Sequence, residues 1–392
     1  MNAFLALAFA LAGAGDVEVL LTHERHAVDK PPKAVGSDFL DTRLALDNLK
    51  LWHRVAVDPK AADEPVRFGY GDFFFGCDFG RQGNGGWNLW SFTGASVAAP
   101  EGKPLGLYRR AEGFHVVERG TRAMADVCWW LDGGPKQRPD DLVTMRFVKL
   151  TAEPEWFYLE TSVESPAPLA LASAWYSAFP ANTTGPPARE RWLTTAARSQ
   201  SLMKGGADLD PATEWTISLH NKNGDEWAGS LLVFDPDEVA KARVEGTYGV
   251  TIRLTPKPGR TSLHVAVSYF LREHYERANA AFLAAAPTSL DRLRKLAWQA
   301  DLARLDAAWR RELSDLAEPL RLAADDADVT KRLDAIRLVY DQALAEAKAA
   351  ADAGKPVPRA AQRRLADALQ RLHAARDAVF AAAVKVMLEE ME

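Results

Sequence analysis

The chain is poor in cysteine. Only Cys77 and Cys128 occur, and they form no CxxC pair, so neither a cysteine-built zinc centre nor a dense disulfide framework is available. They form either one disulfide, in an oxidising compartment, or two buried thiols. Long apolar runs are scarce as well: beyond Met1–Gly15 no uninterrupted stretch is long enough to span a bilayer as a helix, and no integral segment is expected in the mature chain. Basic charge is not in excess, since 48 Lys and Arg stand against 53 Asp and Glu for a net charge of −5. That balance gives no electrostatic footprint for nucleic acid. P-loop, GxGxxG and GxSxG patterns are missing, which removes the main support for nucleotide binding and for the commonest serine hydrolases; no cofactor is implied. His23-Glu24-Arg25-His26 lacks the HExxH spacing and would point its histidines to opposite faces of a strand, so it reads as a strand end and no metal is assigned.

Tryptophan and period-two alternation are what the chain has in quantity. It holds 12 tryptophans, all but Trp298 and Trp309 before Tyr275. From Asp16 to about Tyr275 apolar residues alternate with polar ones, as in Val143, Met145 and Phe147, in Phe157, Leu159, Thr161 and Val163, and in Leu263, Val265, Val267 and Tyr269. Turn signals fall between such runs, at Asp132-Gly133-Gly134-Pro135, Asn223-Gly224 and Pro256-Lys257-Pro258-Gly259. The pattern predicts an antiparallel β-sandwich with one short helix, at Pro236–Ala242, capped by Asp235. The indole rings outnumber the interior places such a sandwich offers. Some of Trp52, Trp87, Trp90, Trp129, Trp130, Trp175, Trp192, Trp215 and Trp227 are therefore expected at the surface or in a cleft.

The densest aromatic and glycine run is Gly69 to Phe92, GYGDFFFGCDFGRQGNGGWNLWSF. Phe73, Phe74 and Phe75 read as a strand buried on both faces. Gly80, Gly83, Gly85 and Gly86 then make a turn-rich segment leading to Trp87 and Trp90. A flat indole beside Asp78, Arg81, Asn84 and Asn88 suits a polyhydroxylated ring, whose C–H face it covers while the polar groups take hydroxyls. Asp78, Arg81, Asn84, Trp87, Asn88 and Trp90 are thus the candidate ligand-binding set. The alternative reading makes both tryptophans core and the glycines hairpin turns.

Met1–Gly15 is apolar and then small-residued, like a signal peptide, although its start carries no Lys or Arg. It predicts export to a periplasmic or extracellular space; a buried first element is the alternative. From Thr288 onward leucines recur at spacings of three and four, as in Leu302, Leu305, Trp309, Leu313, Leu316 and Leu320. Pro319 should divide the first helix, and Gly354, Pro356 and Pro358 should end the next. The sequence thus predicts an α+β multidomain chain: a signal peptide at 1–15, a β-sandwich at 16–275, and a helical hairpin or three-helix bundle at 288–392, with a coiled-coil pattern suited to self-association. From Tyr275 to the end there are 19 basic and 19 acidic side chains, a balanced solvated face.

Acid–base chemistry would draw on His115, Glu118, Glu160, His220 and His264, with Arg119 and Arg122 near Glu118; no catalytic residue can be assigned from spacing alone. Leu159–Phe179, LETSVESPAPLALASAWYSAF, resembles the corresponding passage of galactose-mutarotase-like supersandwich domains, with a long strand, a proline bend, an apolar strand and an aromatic end. That resemblance implies a supersandwich fold that binds or acts on carbohydrate. The family's mutarotases carry a catalytic histidine at that strand end, where this chain has Ala174-Trp175-Tyr176-Ser177, so a sugar-facing sandwich without mutarotase activity is implied. The expected function is exported carbohydrate binding. The alternatives are a structural or assembly protein of the cell envelope, and a polysaccharide lyase, glycoside hydrolase or sugar epimerase.

Overall fold

The computed structural model describes residues 15–26, 39–47, 49–56, 73–77, 90–99, 104–178, 191–202, 205–221, 228–246, 250–271 and 274–389. The chain divides into two compact units: residues 1–114, 119–123 and 127–296 form one, and residues 115–118, 124–126 and 297–392 the other.

In the first unit, β1 (Val19–His26), β2 (Phe39–Leu46), β3 (Leu49–Ala56) and β4 (Phe73–Cys77) make an antiparallel meander in chain order. The next elements are β5 (Trp90–Ala98), β6 (Leu107–Glu118), β7 (Arg122–Leu131), a single-turn α1 (Gly134–Gln137), β8 (Leu142–Leu150), β9 (Phe157–Glu164) and β10 (Ala170–Ala178). They are followed by β11 (Arg191–Thr194), β12 (Ser199–Ser201), β13 (Ala207–Leu209), β14 (Thr216–Asn221) and β15 (Ala228–Phe234), then by β16 (Val239–Glu245), β17 (Val250–Pro256) and β18 (Ser262–Leu271). Nine of them form one sheet, in the order β12-β11-β14-β15-β18-β9-β8-β7-β6, and five another, β13-β16-β17-β10-β5.

The two sheets face one another through their apolar sides. Met145, Phe147, Leu159, Leu263 and Val265 from the larger sheet and Ala174, Tyr176, Ile252, Leu254 and Val244 from the smaller are fully buried. Period two fixes this: each of those strands gives alternate residues to the shared core. Between the sheets the hydroxyls of Thr161 and Tyr176 meet at 2.9 Å, which satisfies two polar groups that water cannot reach. Helix α2 (Tyr275–Lys295) packs on β14, β15 and β18. Ser218 donates to Asn279 Oδ1 at 2.5 Å, Phe282 lies beside Trp156, and Arg294 grips both carboxylate oxygens of Asp235 at 2.7 and 2.9 Å.

The helix predicted over Pro236–Ala242 is not formed. Asp235 instead caps a tight turn, accepting from Asp237 N–H at 2.9 Å, and the chain runs straight into β16. There Ala242 and Val244 turn inward while Lys241 and Arg243 stay outside, so a period-two burial pattern prevailed over a favourable helix cap.

The second unit carries α3 (Leu302–Asp315), α4 (Ala317–Leu322), α5 (Ala327–Asp352) and α6 (Arg359–Glu389). Helices α5 and α6 form a hairpin, with α3 and α4 packed on α6. The break between α3 and α4 falls at Leu316, three residues before Pro319, and α5 ends at Gly354 with φ 65°, a conformation glycine adopts without strain. Trp309 and Tyr340 stack at 3.9 Å, and the Tyr340 hydroxyl donates to Asp306 at 3.0 Å. Arg363 on α6 pairs with Asp126 at 3.4 Å, both buried, and His115 Nδ1 lies 2.9 Å from Asp367. Among the described residues no helix is long and apolar enough to cross a membrane.

Candidate functional site

Of the ligand-binding set expected from the sequence, Asp78, Arg81, Asn84, Trp87 and Asn88 lie outside the described residues. Trp90 is placed only by its backbone, opposite Ala178 at the start of β5. Cys77 is likewise placed by backbone alone, in β4, while Cys128 is buried with Sγ 3.4 Å from Thr144 Oγ1. The acid–base candidates separate. His115 and Glu118 hold the second unit together, Glu118 accepting from Asp301 N–H at 3.1 Å. His220 is buried and stacks on Tyr275 at 5.1 Å.

Glu160 and His264 do come together. They are direct cross-strand partners on β9 and β18, and Arg146 on β8 stands opposite Glu160 in the same row. Strand β15 ends at Phe234, opposite Val265, so beyond that point β18 has no ladder neighbour on this side. Glu238 fills the gap: its Oε2 accepts from His264 N–H at 2.9 Å, and its Oε1 lies 2.8 Å from His264 Nδ1. Glu160 Oε1 is 3.4 Å from His264 Nε2, and Arg260 closes the group by pairing with Glu238. Burial by itself would depress the imidazole pKa, but Glu160 and Glu238 outweigh it and push it up to about 9. At neutral pH the ring is a cation donating from both nitrogens. A proton-accepting role is closed to it, and with His264, Glu160 and Glu238 only 15%, 6% and 9% exposed, the cluster acts as a clamp joining β9, β18 and the β15–β16 turn.

On the outward face of the five-stranded sheet an indole sits among hydrogen-bonding groups, half-buried itself and flanked along β10 by the buried Ser173 and Ser177. Trp175 alternates with the inward Ala174 and Tyr176 on β10, so it points away from the core. Its register neighbours continue on either side: Gly94 on β5 and Arg253 on β17, then Arg243 on β16 and Asp208 on β13. A Cβ on Gly94 would stand 2.8 Å from Trp175 Cε3, so the ring lies over the glycine backbone. Arg253 is 5.1 Å from the ring centroid, in cation–π range. Glu245 links the two arginines, at 3.1 Å from Arg243 Nε and 3.5 Å from Arg253 Nη2, and Asp208 takes Arg243 Nη1 at 2.7 Å. Arg253, Arg243, Asp208 and Glu245 are 47%, 45%, 80% and 38% exposed, which leaves their hydrogen-bonding edges to solvent. Along β10 the row is flanked by hydroxyl pairs, Ser96 with Ser173 at 2.7 Å and Ser177 with Thr251 at 3.1 Å. The result is a row of strand neighbours carrying an aromatic ring, two guanidinium forks and the Asp208 carboxylate, with Glu245 beside it on β16.

Trp175 is one of the tryptophans the sequence marks as too many for the interior. Its partners were not marked, because Asp208, Arg243 and Arg253 are far apart in sequence and meet only through strand order. The available signal was the alternation in Val239–Glu245 and Val250–Pro256, which puts Lys241, Arg243, Glu245 and Arg253 outside.

No protein-family model matches the sequence, and no curated protein matches it. Among solved structures, a "putative aldose 1-epimerase" from Klebsiella pneumoniae subsp. pneumoniae MGH 78578 is similar over 70% of this chain and 88% of its own, with 11% identity and a TM-score of 0.29. A TPR-domain containing protein from Parabacteroides distasonis ATCC 8503 is similar over 66% of this chain and 55% of its own, with 8% identity and a TM-score of 0.29. Neither likeness carries an argument, and the functional reading rests on the geometry.

Proposed function

We propose that this chain is an exported carbohydrate-binding β-sandwich protein, and that the outward face of β13, β16, β17, β10 and β5 is its binding surface. The observation that carries the reading is the row Gly94–Trp175–Arg253–Arg243–Asp208. Sugar rings present C–H groups on one side and hydroxyls around the rim; the first suit an indole with its stacked guanidinium, and the second suit donors and acceptors held in fixed relation. Export rests on the signal-like Met1–Gly15.

A glycan array probed with the full chain, followed by calorimetry on the strongest ligands, tests the proposal. Trp175→Ala is expected to weaken binding at least tenfold, about 1.4 kcal/mol, while the circular-dichroism spectrum shows the sandwich still folded. No binding across the array, or equal affinity for wild type and Trp175→Ala, overturns it.

A further inference from the structure

We infer that the ligand of the β10–β17–β16 face is a neutral glycan, bound as an extended chain across several strands, rather than a uronate-bearing or sulfated one. This rests on the carbohydrate-binding reading and deepens it. Both arginines of the strip already face carboxylates. Arg243 is engaged by both Asp208 and Glu245, and Arg253 by Glu245. Among the described residues, Lys241, Arg243 and Arg253 against Asp208 and Glu245 give this strip a single net positive charge, too little to draw a polyanion. A uronate binding the open edge of Arg253 or Arg243 would lie beside the carboxylate of Glu245 or Asp208 and be repelled by it.

A neutral diol meets no such conflict. One hydroxyl donates to a carboxylate oxygen of Asp208 or Glu245 while its neighbour accepts from the adjacent guanidinium, so the existing pairs are bridged rather than broken. The strip crosses five strands, about 19 Å at the usual strand spacing, and its groups stand in one line. A chain of sugars laid along that line reaches the indole end and the carboxylate end together, whereas a monosaccharide reaches only one.

The test is calorimetry on the full chain with two probes of equal length, a neutral hexasaccharide chosen from the array and a hexagalacturonate, each at two salt concentrations. The expected result is binding of the neutral probe with an affinity independent of salt, at least tenfold loss in Asp208→Asn with Glu245→Gln combined, and progressive weakening as the neutral chain is shortened to two rings. Both substituted side chains are solvent-exposed, so folding is retained, and the thermal midpoint confirms it. Tighter binding of hexagalacturonate, strengthened by the double variant and weakened by salt, overturns this inference while leaving carbohydrate binding intact. Silence of both probes and of the whole array removes the underlying reading as well.

Discussion

At Gly94 the backbone runs at φ 149°, and a methyl group there would stand 2.8 Å from Trp175 Cε3, so any side chain both strains the chain and lifts the indole from its bed. Gly94→Val is therefore expected to cost about 1–3 kcal/mol in urea unfolding and to weaken glycan binding as much as Trp175→Ala does. An unchanged affinity would show that the ring's seat on β5 has no part in recognition. His264 carries a different prediction, with a sign that follows from its raised pKa. Below the unfolded value near 6.5 both states are protonated and the clamp's stabilisation is fully present; it is lost as pH climbs through about 9. The total is on the order of 3 kcal/mol. Urea midpoints measured from pH 6 to pH 10 should fall in the wild type and fall less steeply in His264→Gln. A parallel decline in the two proteins would mean that other groups govern the alkaline limb.

Strands and helices were legible in the sequence to different degrees, and the differences have physical causes. Val143–Phe147, Phe157–Val163 and Leu263–Tyr269 announce β8, β9 and β18 because period two is imposed by burial of one face. The α3–α4 break near Pro319 and the end of α5 at Gly354 follow from residues that cannot continue a helix. The helix expected over Pro236–Ala242 does not form because Asp235 is a good cap for a helix and an equally good cap for a turn. The second unit is tied by a buried ion pair, Arg363 on α6 with Asp126 on β7, at 3.4 Å. Arg363→Ala is expected to destabilise by about 1.5–3 kcal/mol, because a buried carboxylate loses a charged hydrogen bond. Chemical denaturation monitored by the far-ultraviolet helical signal checks this; a loss under 1 kcal/mol would contradict it.

For the molecule as a whole, the sandwich and the helical hairpin could be read from periodicity, whereas the candidate site could not. Asp208, Arg243, Arg253 and Trp175 become neighbours only because β13, β16, β17 and β10 are adjacent in the sheet, and strand order is not encoded in any local pattern. What the sequence did offer was an excess of indole rings over interior places, and Trp175 is one that faces out. Hydrogen–deuterium exchange of the full chain, with and without a saturating neutral oligosaccharide, addresses the location directly. The account predicts slowed exchange in peptides covering Ala170–Ala178, Val239–Glu245 and Val250–Pro256, with none around His264. Protection confined to other strands, with these three unchanged, would contradict it.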